Sequence, residues 1–281
     1  MRNWATALLL LLCGYAAEGQ ITDTTGNTAP SSVYHVNPWV SGGIALVGGY
    51  TNIIGIPKVK DKPLLSEEEL GRLVSDGVGW LDRSGLRQNV HRREQAHRVS
   101  DFLMYGTASL PFLLVLDKKI RPDYLDVSLM YLETVAITSN LYTYSPLGPT
   151  FIDRYRPLAF YEDVPLSERQ AGNQRNSFYS GHVATTAMGA FFTAKVLYDH
   201  HPEWGRRRWW LFGAATVPTA FAGLLRLRAL KHFPTDLVAG GLIGAGMGVL
   251  IPEIHRRWNN RLRVKAGGDT DAGYLGLTLN F

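Results

Sequence analysis

Three short polar motifs in this 281-residue chain combine residue types that bind and transfer phosphate groups. The first motif is Arg154-Tyr155-Arg156-Pro157. A guanidinium group is permanently charged, and its planar fork donates paired hydrogen bonds that match phosphate oxygens. This motif therefore predicts phosphate binding by Arg156 and Arg154, although a solvated basic loop is the simpler interpretation when the motif is taken alone.

The second motif, Ser-Phe-Tyr-Ser-Gly-His at residues 177–182, leads directly into an apolar run. The free N–H groups and the dipole of a helix N-terminus attract anions, and glycine lets the backbone come close to a ligand. Ser180 and Gly181 could therefore hold phosphate oxygens, with His182 placed to protonate a leaving oxygen. The alternative interpretation is an N-cap serine followed by a surface histidine.

The third motif contains Arg226, His232, Pro234 and Asp236 and opens another apolar run. Residues four apart lie on one side of a helical start, so the Asp236 carboxylate could fix the tautomer of His232 and stabilise its cation. A structural aspartate behind a helix-starting proline would explain Asp236, but it would explain neither His232 nor Arg226. This motif is the most specific of the three.

In this order, with apolar helices between them, the three motifs resemble those of the type 2 phosphatidic acid phosphatase superfamily. That superfamily also contains vanadium-dependent haloperoxidases and class A bacterial acid phosphatases. Its pattern is K-x6-R-P, then P-S-G-H, then S-R-x5-H-x3-D. The matching positions here are Arg156-Pro157, Ser180-Gly181-His182, Arg226, His232 and Asp236, and the resemblance covers residues 101–255.

The resemblance implies a mechanism in which His232 attacks phosphorus and becomes a phosphohistidine. Asp236 would orient His232, and His182 would protonate the leaving oxygen. The phosphoryl oxygens would be held by Arg156, Arg226 and the backbone amides of Ser180 and Gly181. Water would then hydrolyse the phosphohistidine. This chemistry needs no metal and no other cofactor, and the sequence shows no convincing cluster of metal ligands.

The chain departs from the family pattern at three positions. Pro149 stands where the family has its lysine, Tyr179 replaces a proline, and Leu225 replaces a serine. The missing cation could be supplied by Arg154 or by Arg175. Because every residue with a bond-making role is present, these departures affect the predicted substrate range more than the predicted reaction.

Five apolar runs separate the motifs and predict an all-α membrane helical bundle of five or six helices. They are Phe102–Leu116, Leu125–Tyr142, Val183–Tyr198, Trp209–Leu225 and Leu237–Ile251. Asp126, Glu133 and Lys195 lie within the runs, so we expect partners for them inside the bundle. Basic clusters follow the first, third and fifth runs, which indicates a cytoplasmic location for them. The active site is then predicted at the periplasmic end, in a bacterial inner membrane.

The ends of the chain differ from this central part. Residues 1–19, which contain the only cysteine, Cys13, are predicted to be a secretory signal, so the mature chain would have no thiol. Residues 20–100 are predicted to be a periplasmic or interfacial extension, 101–255 the phosphatase bundle and 256–281 a basic tail. Within the extension, Trp39–Ile56 should lie at the interface or pack on the bundle. It would be a sixth crossing if the signal is not cleaved.

The predicted function is therefore hydrolysis of a lipid phosphate, with a phosphorylated lipid and the bilayer as partners and no nucleic acid. Phosphatidic acid, phosphatidylglycerol phosphate, polyprenyl diphosphate and lipid A phosphates all remain open as substrates. One alternative is a vanadate-dependent haloperoxidase or soluble acid phosphatase on the same scaffold, against which the apolar helices argue. Another is a non-catalytic membrane module, which the absent lysine favours.

Overall fold

The computed structural model describes residues 32–269 and 272–279, with side chains as far as residue 257. The predicted signal at residues 1–19, with Cys13, lies outside the described residues. From Val33 onward the chain belongs to one compact unit.

Helices dominate this unit. Eight α-helices are followed by two strands: α1 (Pro38–Lys60), α2 (Glu67–Gly71), α3 (Arg93–Ser109), α4 (Tyr124–Tyr144), α5 (Leu166–Gln170), α6 (Gly181–His200), α7 (Trp210–Arg228), α8 (Pro234–Arg261), β1 (Leu262–Asp269) and β2 (Ala272–Leu279). The strands pair antiparallel, with Leu262 opposite Leu279. The six long helices form the bundle, which confirms the predicted class of a helical bundle of five or six helices, here with a terminal hairpin.

Helix α6 lies at the centre of the bundle and packs against α3, α4, α7 and α8. Its contact with α8 depends on glycines. A Cβ added at Gly244 would lie 2.0 Å from the carbonyl oxygen of Ala184, and one added at Gly248 would lie 2.7 Å from that of Met188. Small residues let helix backbones approach closely, as is common in membrane bundles. The α6–α8 contact in turn fixes the relation between the second and third motifs, which lie at the starts of these helices.

Helix α1 packs along α4. The Thr51 hydroxyl donates to Oδ1 of Asn140 at 2.7 Å, and the Tyr144 hydroxyl donates to the Thr51 carbonyl at 2.8 Å. The opposite face of α1 carries exposed apolar side chains, including Trp39 and Ile53, which are 79% and 75% exposed. Residues 39–56 thus pack on the bundle, and α1 is its sixth helix; this segment is also long and apolar enough to be the alternative sixth crossing.

Four helical segments in the described part of the chain are long and apolar enough to cross a membrane. They are Pro38–Lys60, Val90–Leu116, Pro202–Arg228 and Pro234–Arg257. Helices α4 and α6, which carry two of the predicted runs, are enclosed among them and are less apolar. The chain is a membrane protein in which apolar outer helices surround a more polar interior.

The predicted boundary at residue 100 does not separate two bodies. Helix α1 belongs to the bundle, and α3 begins at Arg93, before the boundary. The segment between them covers the motif end of the bundle: Leu65 and Leu70 pack on Ala159. The expectation of a separate extension over residues 20–100 is wrong for these elements, because their apolar side chains are buried against the rest of the unit.

The motifs and the basic clusters lie at opposite ends of the bundle. Helices α6 and α8 both begin at the motif end, and Arg256 is 20 residues beyond Asp236, about 30 Å along the helix axis. Near that far end the buried charges are paired. Glu133 contacts Nε2 of His255 at 2.9 Å, and Lys195 donates to Asp199 at 2.7 Å. The expected partners of Glu133 and Lys195 are thus present.

Candidate active site

A cavity of about 500 Å³ lies at the motif end of the bundle. It is where side chains from all three motifs meet. Its lining includes Arg156, Gly181, His182, Arg226, Lys231 and His232. The two histidines and the two arginines therefore share one pocket, although they come from one loop, the first turn of α6, the last turn of α7 and the turn before α8.

His232 is buried, and its Nδ1 atom lies 2.6 Å from the carbonyl oxygen of Ser177. A carbonyl oxygen only accepts, so Nδ1 carries the proton and Nε2 keeps its lone pair. Burial and the charges of Arg226 and Arg156 hold the pKa of His232 well below its usual value. The ring is therefore neutral near pH 7, which is the form that can act as a nucleophile.

Asp236 does not contact the ring of His232, contrary to our expectation. Its Oδ2 atom accepts from the Ser177 hydroxyl at 2.6 Å and from the backbone N–H of Phe233 at 2.8 Å. Asp236 occupies the third position of α8 and reaches back to the residue before the helix, as in a capping box. The carboxylate thus positions His232 through Ser177, whose carbonyl holds the ring.

Arg154 lies behind this layer and does not line the cavity, so the predicted phosphate-binding role is corrected. Its guanidinium contacts Asp236 and donates to Oδ2 of Asp82 at 2.6 Å and to Thr235 at 2.9 Å. Two carboxylates take up its charge, because Asp82 from the segment before α3 folds over the start of α8. Arg154 therefore stabilises the start of α8, next to His232.

Arg156 and Arg226 point into the cavity from buried positions, with 6% and 2% exposure. Nε of Arg156 donates to the carbonyl of Asn176 at 3.2 Å, and Nη1 of Arg226 donates to Nδ1 of His97 at 2.9 Å. The nearest carboxylate oxygen to Arg226 belongs to Asp101, at 3.9 Å. Buried guanidinium groups whose positive charge has so little negative charge nearby favour the binding of an anion in the space between them.

Of the two residues predicted to hold phosphate oxygens at the start of α6, Gly181 lines the cavity and Ser180 does not. The Ser180 amide donates to the carbonyl of Asp236 at 3.1 Å, so it is not available to phosphate, and its hydroxyl caps α6. This corrects the predicted role of the Ser180 amide and confirms the N-cap alternative for this residue. Gly181 does line the cavity, and a Cβ there would lie 3.2 Å from the ring of Tyr142. Any larger residue would press on the Tyr142 wall.

His182 has a partner that the motifs did not reveal. Its Nε2 atom lies 2.8 Å from Oδ1 of Asp101 on α3. Asp101 is also 3.3 Å from Nδ1 of His97, one turn earlier on the same helix. A carboxylate in this position orients the imidazole and stabilises its protonated form. The signal for this contact in the sequence was weak: Asp101 stands at the head of an apolar run, four residues after His97.

Lys231 is the second residue that the sequence reasoning missed. It lies half-buried in the cavity wall, next to His232 in the chain. Burial and the nearby charges of Arg156 and Arg226 lower its pKa to about 8. The signal in the sequence for a residue of the site was its position directly before His232, the predicted nucleophile.

Residues 123–260 match the family model described as the PAP2 superfamily. This part of the chain is a PAP2 superfamily region. The crystal structure of the first transmembrane PAP2 type phosphatidylglycerolphosphate phosphatase from Bacillus subtilis is similar to this chain, with 16% sequence identity, a TM-score of 0.43 and coverage of 78% of this chain and 97% of that chain. Among curated proteins, none matches this chain.

The PAP2 assignment agrees with the resemblance seen in the three motifs and makes the chain a phosphatase of the membrane. The matched residues contain α4, α6, α7 and most of α8, and therefore Arg156, His182, Arg226 and His232. Asp101 and helix α1 lie outside them. Residues 32–257 contain no group of three His, Cys, Asp or Glu side chains that could hold a metal ion.

Proposed function

We propose that this PAP2 protein hydrolyses a phosphorylated lipid through a phosphohistidine formed on His232. The observation that carries the proposal is the shared cavity, in which a neutral, buried His232 faces two buried arginines and His182. Its charged end fits a phosphoryl group, because Arg156 and Arg226 can each donate paired hydrogen bonds to phosphate oxygens.

In the proposed first step, Nε2 of His232 attacks phosphorus and the bond from phosphorus to the leaving oxygen breaks. The electron pair stays on that oxygen, which takes a proton from His182. Arg156, Arg226 and the Gly181 amide hold the three remaining oxygens, where charge must be stabilised. In the second step, His182 accepts a proton from water as the water attacks phosphorus, and phosphate leaves the ring of His232.

The lipid part of the proposal follows from the remaining wall of the cavity. Below the charged end, it is lined by apolar side chains of α3, α4 and α6, among them Met104, Val135, Ala184 and Met188. From Gly181 to Met188, α6 advances about 10 Å into the bundle. A lipid chain could lie along this wall while its phosphate meets the arginines.

We also propose that the site faces the periplasm of a bacterial inner membrane. The basic residues Arg206, Arg207 and Arg208 lie at the opposite end, which the positive-inside tendency places in the cytoplasm. A test uses two single-cysteine proteins on a Cys13→Ser background: Asp163→Cys at the motif end and Arg207→Cys at the other. In intact spheroplasts an impermeant maleimide should label only the first, and labelling of only the second would refute the orientation.

The test of function is phosphate release from phosphatidic acid, phosphatidylglycerol phosphate, a polyprenyl diphosphate and lipid A. His232→Ala should abolish release, while His91→Ala, a change at an exposed histidine outside the cavity, should leave it intact. Brief incubation with a 32P-labelled substrate should label the wild type at an acid-labile, alkali-stable position. Release that survives His232→Ala would refute the proposal.

A further inference from the structure

The PAP2 pattern has a lysine where this chain has Pro149, so a cation that normally accompanies the two motif arginines is absent from its place in the sequence. Two arginines were candidates to replace it, and the structure accounts for both. Arg154 is held by Asp82, Thr235 and Asp236. Arg154 and these three partners do not line the cavity.

Arg175, the other candidate, is also engaged elsewhere. It donates to both carboxylate oxygens of Glu69, at 2.7 and 2.8 Å, and lies 3.4 Å from Asp153. It does not line the cavity. The replacement must therefore come from another part of the chain, or the site works with two cations.

Lys231 meets the geometric requirement. Its side chain lines the same cavity as Arg156 and Arg226, and within residues 32–257 its ammonium has neither a hydrogen bond nor an ion pair. The two carboxylates that act on it from a distance, Glu94 and Glu168, are both paired with Arg93. Its ammonium is thus free to bind a ligand.

The backbone holds Lys231 in place. Leu230 has a φ of 59°, a left-handed conformation that is unusual for a bulky residue, and its side chain is buried against Leu158 and Val164. The N–H of Lys231 donates to the carbonyl of Arg226 at 3.2 Å, and the N–H of Leu158 donates to the carbonyl of Leu230 at 3.2 Å. This turn carries Lys231 and His232 to the cavity together, and such a conformation persists only where the surroundings impose it.

We propose that Lys231 is the third phosphate-binding cation of this enzyme and takes the place of the lysine that the PAP2 pattern puts at position 149. Three cations would then surround one phosphoryl group: Arg156, Arg226 and Lys231. The rings of His182 and His232 complete the polar lining. This inference rests on the proposed function for its substrate, although not for its anion-binding site.

The experiment compares Lys231→Gln, Lys231→Arg and Lys58→Gln in the full-length protein in detergent. Lys58→Gln makes the same chemical change at an exposed lysine that does not line the cavity. The readouts are kcat/KM on the lipid phosphates and inhibition by orthovanadate, with thermal melting to confirm folding. Lys231→Met, which keeps the apolar stem, replaces Lys231→Gln if that variant melts early.

Lys231→Gln should lower kcat/KM and weaken vanadate inhibition by about 10- to 100-fold, the loss expected for one hydrogen bond to a charged group. Lys231→Arg should keep most of the wild-type kcat/KM and vanadate inhibition, and Lys58→Gln should change neither quantity. If Lys231→Gln matches the wild type while His232→Ala is inactive, this inference is overturned and the proposed function stands. If no lipid phosphate is hydrolysed but Lys231→Gln alone weakens binding of inorganic phosphate, the proposed function fails and the cation site is supported.

Discussion

Replacing Asp101 with asparagine tests the assignment of His182 as the proton donor. Asparagine keeps the size of the side chain and can still accept a hydrogen bond from Nε2 of His182, which lies 2.8 Å from the carboxylate. What it removes is the negative charge that stabilises the protonated ring. We expect a slower first step, because less of the enzyme has a proton ready for the leaving oxygen.

The size of the effect follows from the exposure of the pair. A hydrogen bond to a charged group contributes about 1.5–3 kcal/mol. Since 28% of the His182 side chain and 36% of the Asp101 side chain are exposed, solvent screening favours the lower part of that range. A loss of about 1.5–2 kcal/mol corresponds to a fall in kcat of roughly 10- to 30-fold.

The assay compares two leaving groups on the same variant. An alkyl or diacylglycerol oxygen needs the proton of His182 as it departs, whereas p-nitrophenolate leaves readily without one. Asp101→Asn should therefore slow hydrolysis of the lipid phosphate much more than hydrolysis of p-nitrophenyl phosphate. Asp163→Asn, at an exposed position outside the cavity, is the matched control and should leave both rates unchanged.

Equal losses on the two substrates would show that Asp101 only maintains the structure of the site. A wild-type rate on the lipid phosphate would show that the carboxylate has no part in proton transfer. Either result would refute the role assigned to the contact between Asp101 and His182.

Three further predictions concern the surroundings of the nucleophile. The pKa of Lys231 is lowered to about 8, so its ammonium loses its proton as the pH rises past that value, and kcat/KM should fall there. Lys231→Arg stays charged and should remove this alkaline fall from the pH profile. Gly240→Ala places a Cβ 2.5 Å from the carbonyl of Ser180 and should cost about 1–3 kcal/mol in thermal unfolding, while Gly246→Ala, with open space at its Cβ, should cost nothing. Ser177→Ala removes the 2.6 Å hydrogen bond to Asp236, which supports the segment whose backbone carbonyl holds His232. The variant should lower kcat about tenfold and leave the far-UV circular dichroism spectrum unchanged. A wild-type kcat would contradict the positioning role of Ser177.

The sequence was sufficient for the class of fold and for most of the charged side chains that meet in the cavity. Residue type, spacing and order along the chain selected His182, His232, Arg156 and Arg226, and these four side chains line one cavity. The apolar runs predicted the helical bundle, because residues that face lipid must be apolar over about 20 consecutive positions. Helix α1 was harder to place, since its Gly48 and Gly55 and its polar Thr51 serve the contact with α4.

The division of roles among neighbouring side chains depended on tertiary structure. Arg154 and Arg156 are two residues apart and alternate in direction, so only one reaches the cavity while the other binds Asp82 and Asp236. Asp236 has the spacing expected of a partner for His232, but the first turn of α8 directs its carboxylate to Ser177 and Phe233. Spacing along the chain fixes which residues can be close, and it does not fix which of several hydrogen-bond partners each one takes.

Asp101 and Lys231 mark the limit of the sequence most clearly. Asp101 lies outside the residues that match the family, and it meets His182 only because α3 packs against α6. Lys231 faces the cavity because of the left-handed turn at Leu230, a backbone conformation that no residue type in that segment demands. The sequence identified the histidines and arginines that meet in the cavity, while the packing of helices far apart in the chain decided which charges surround them.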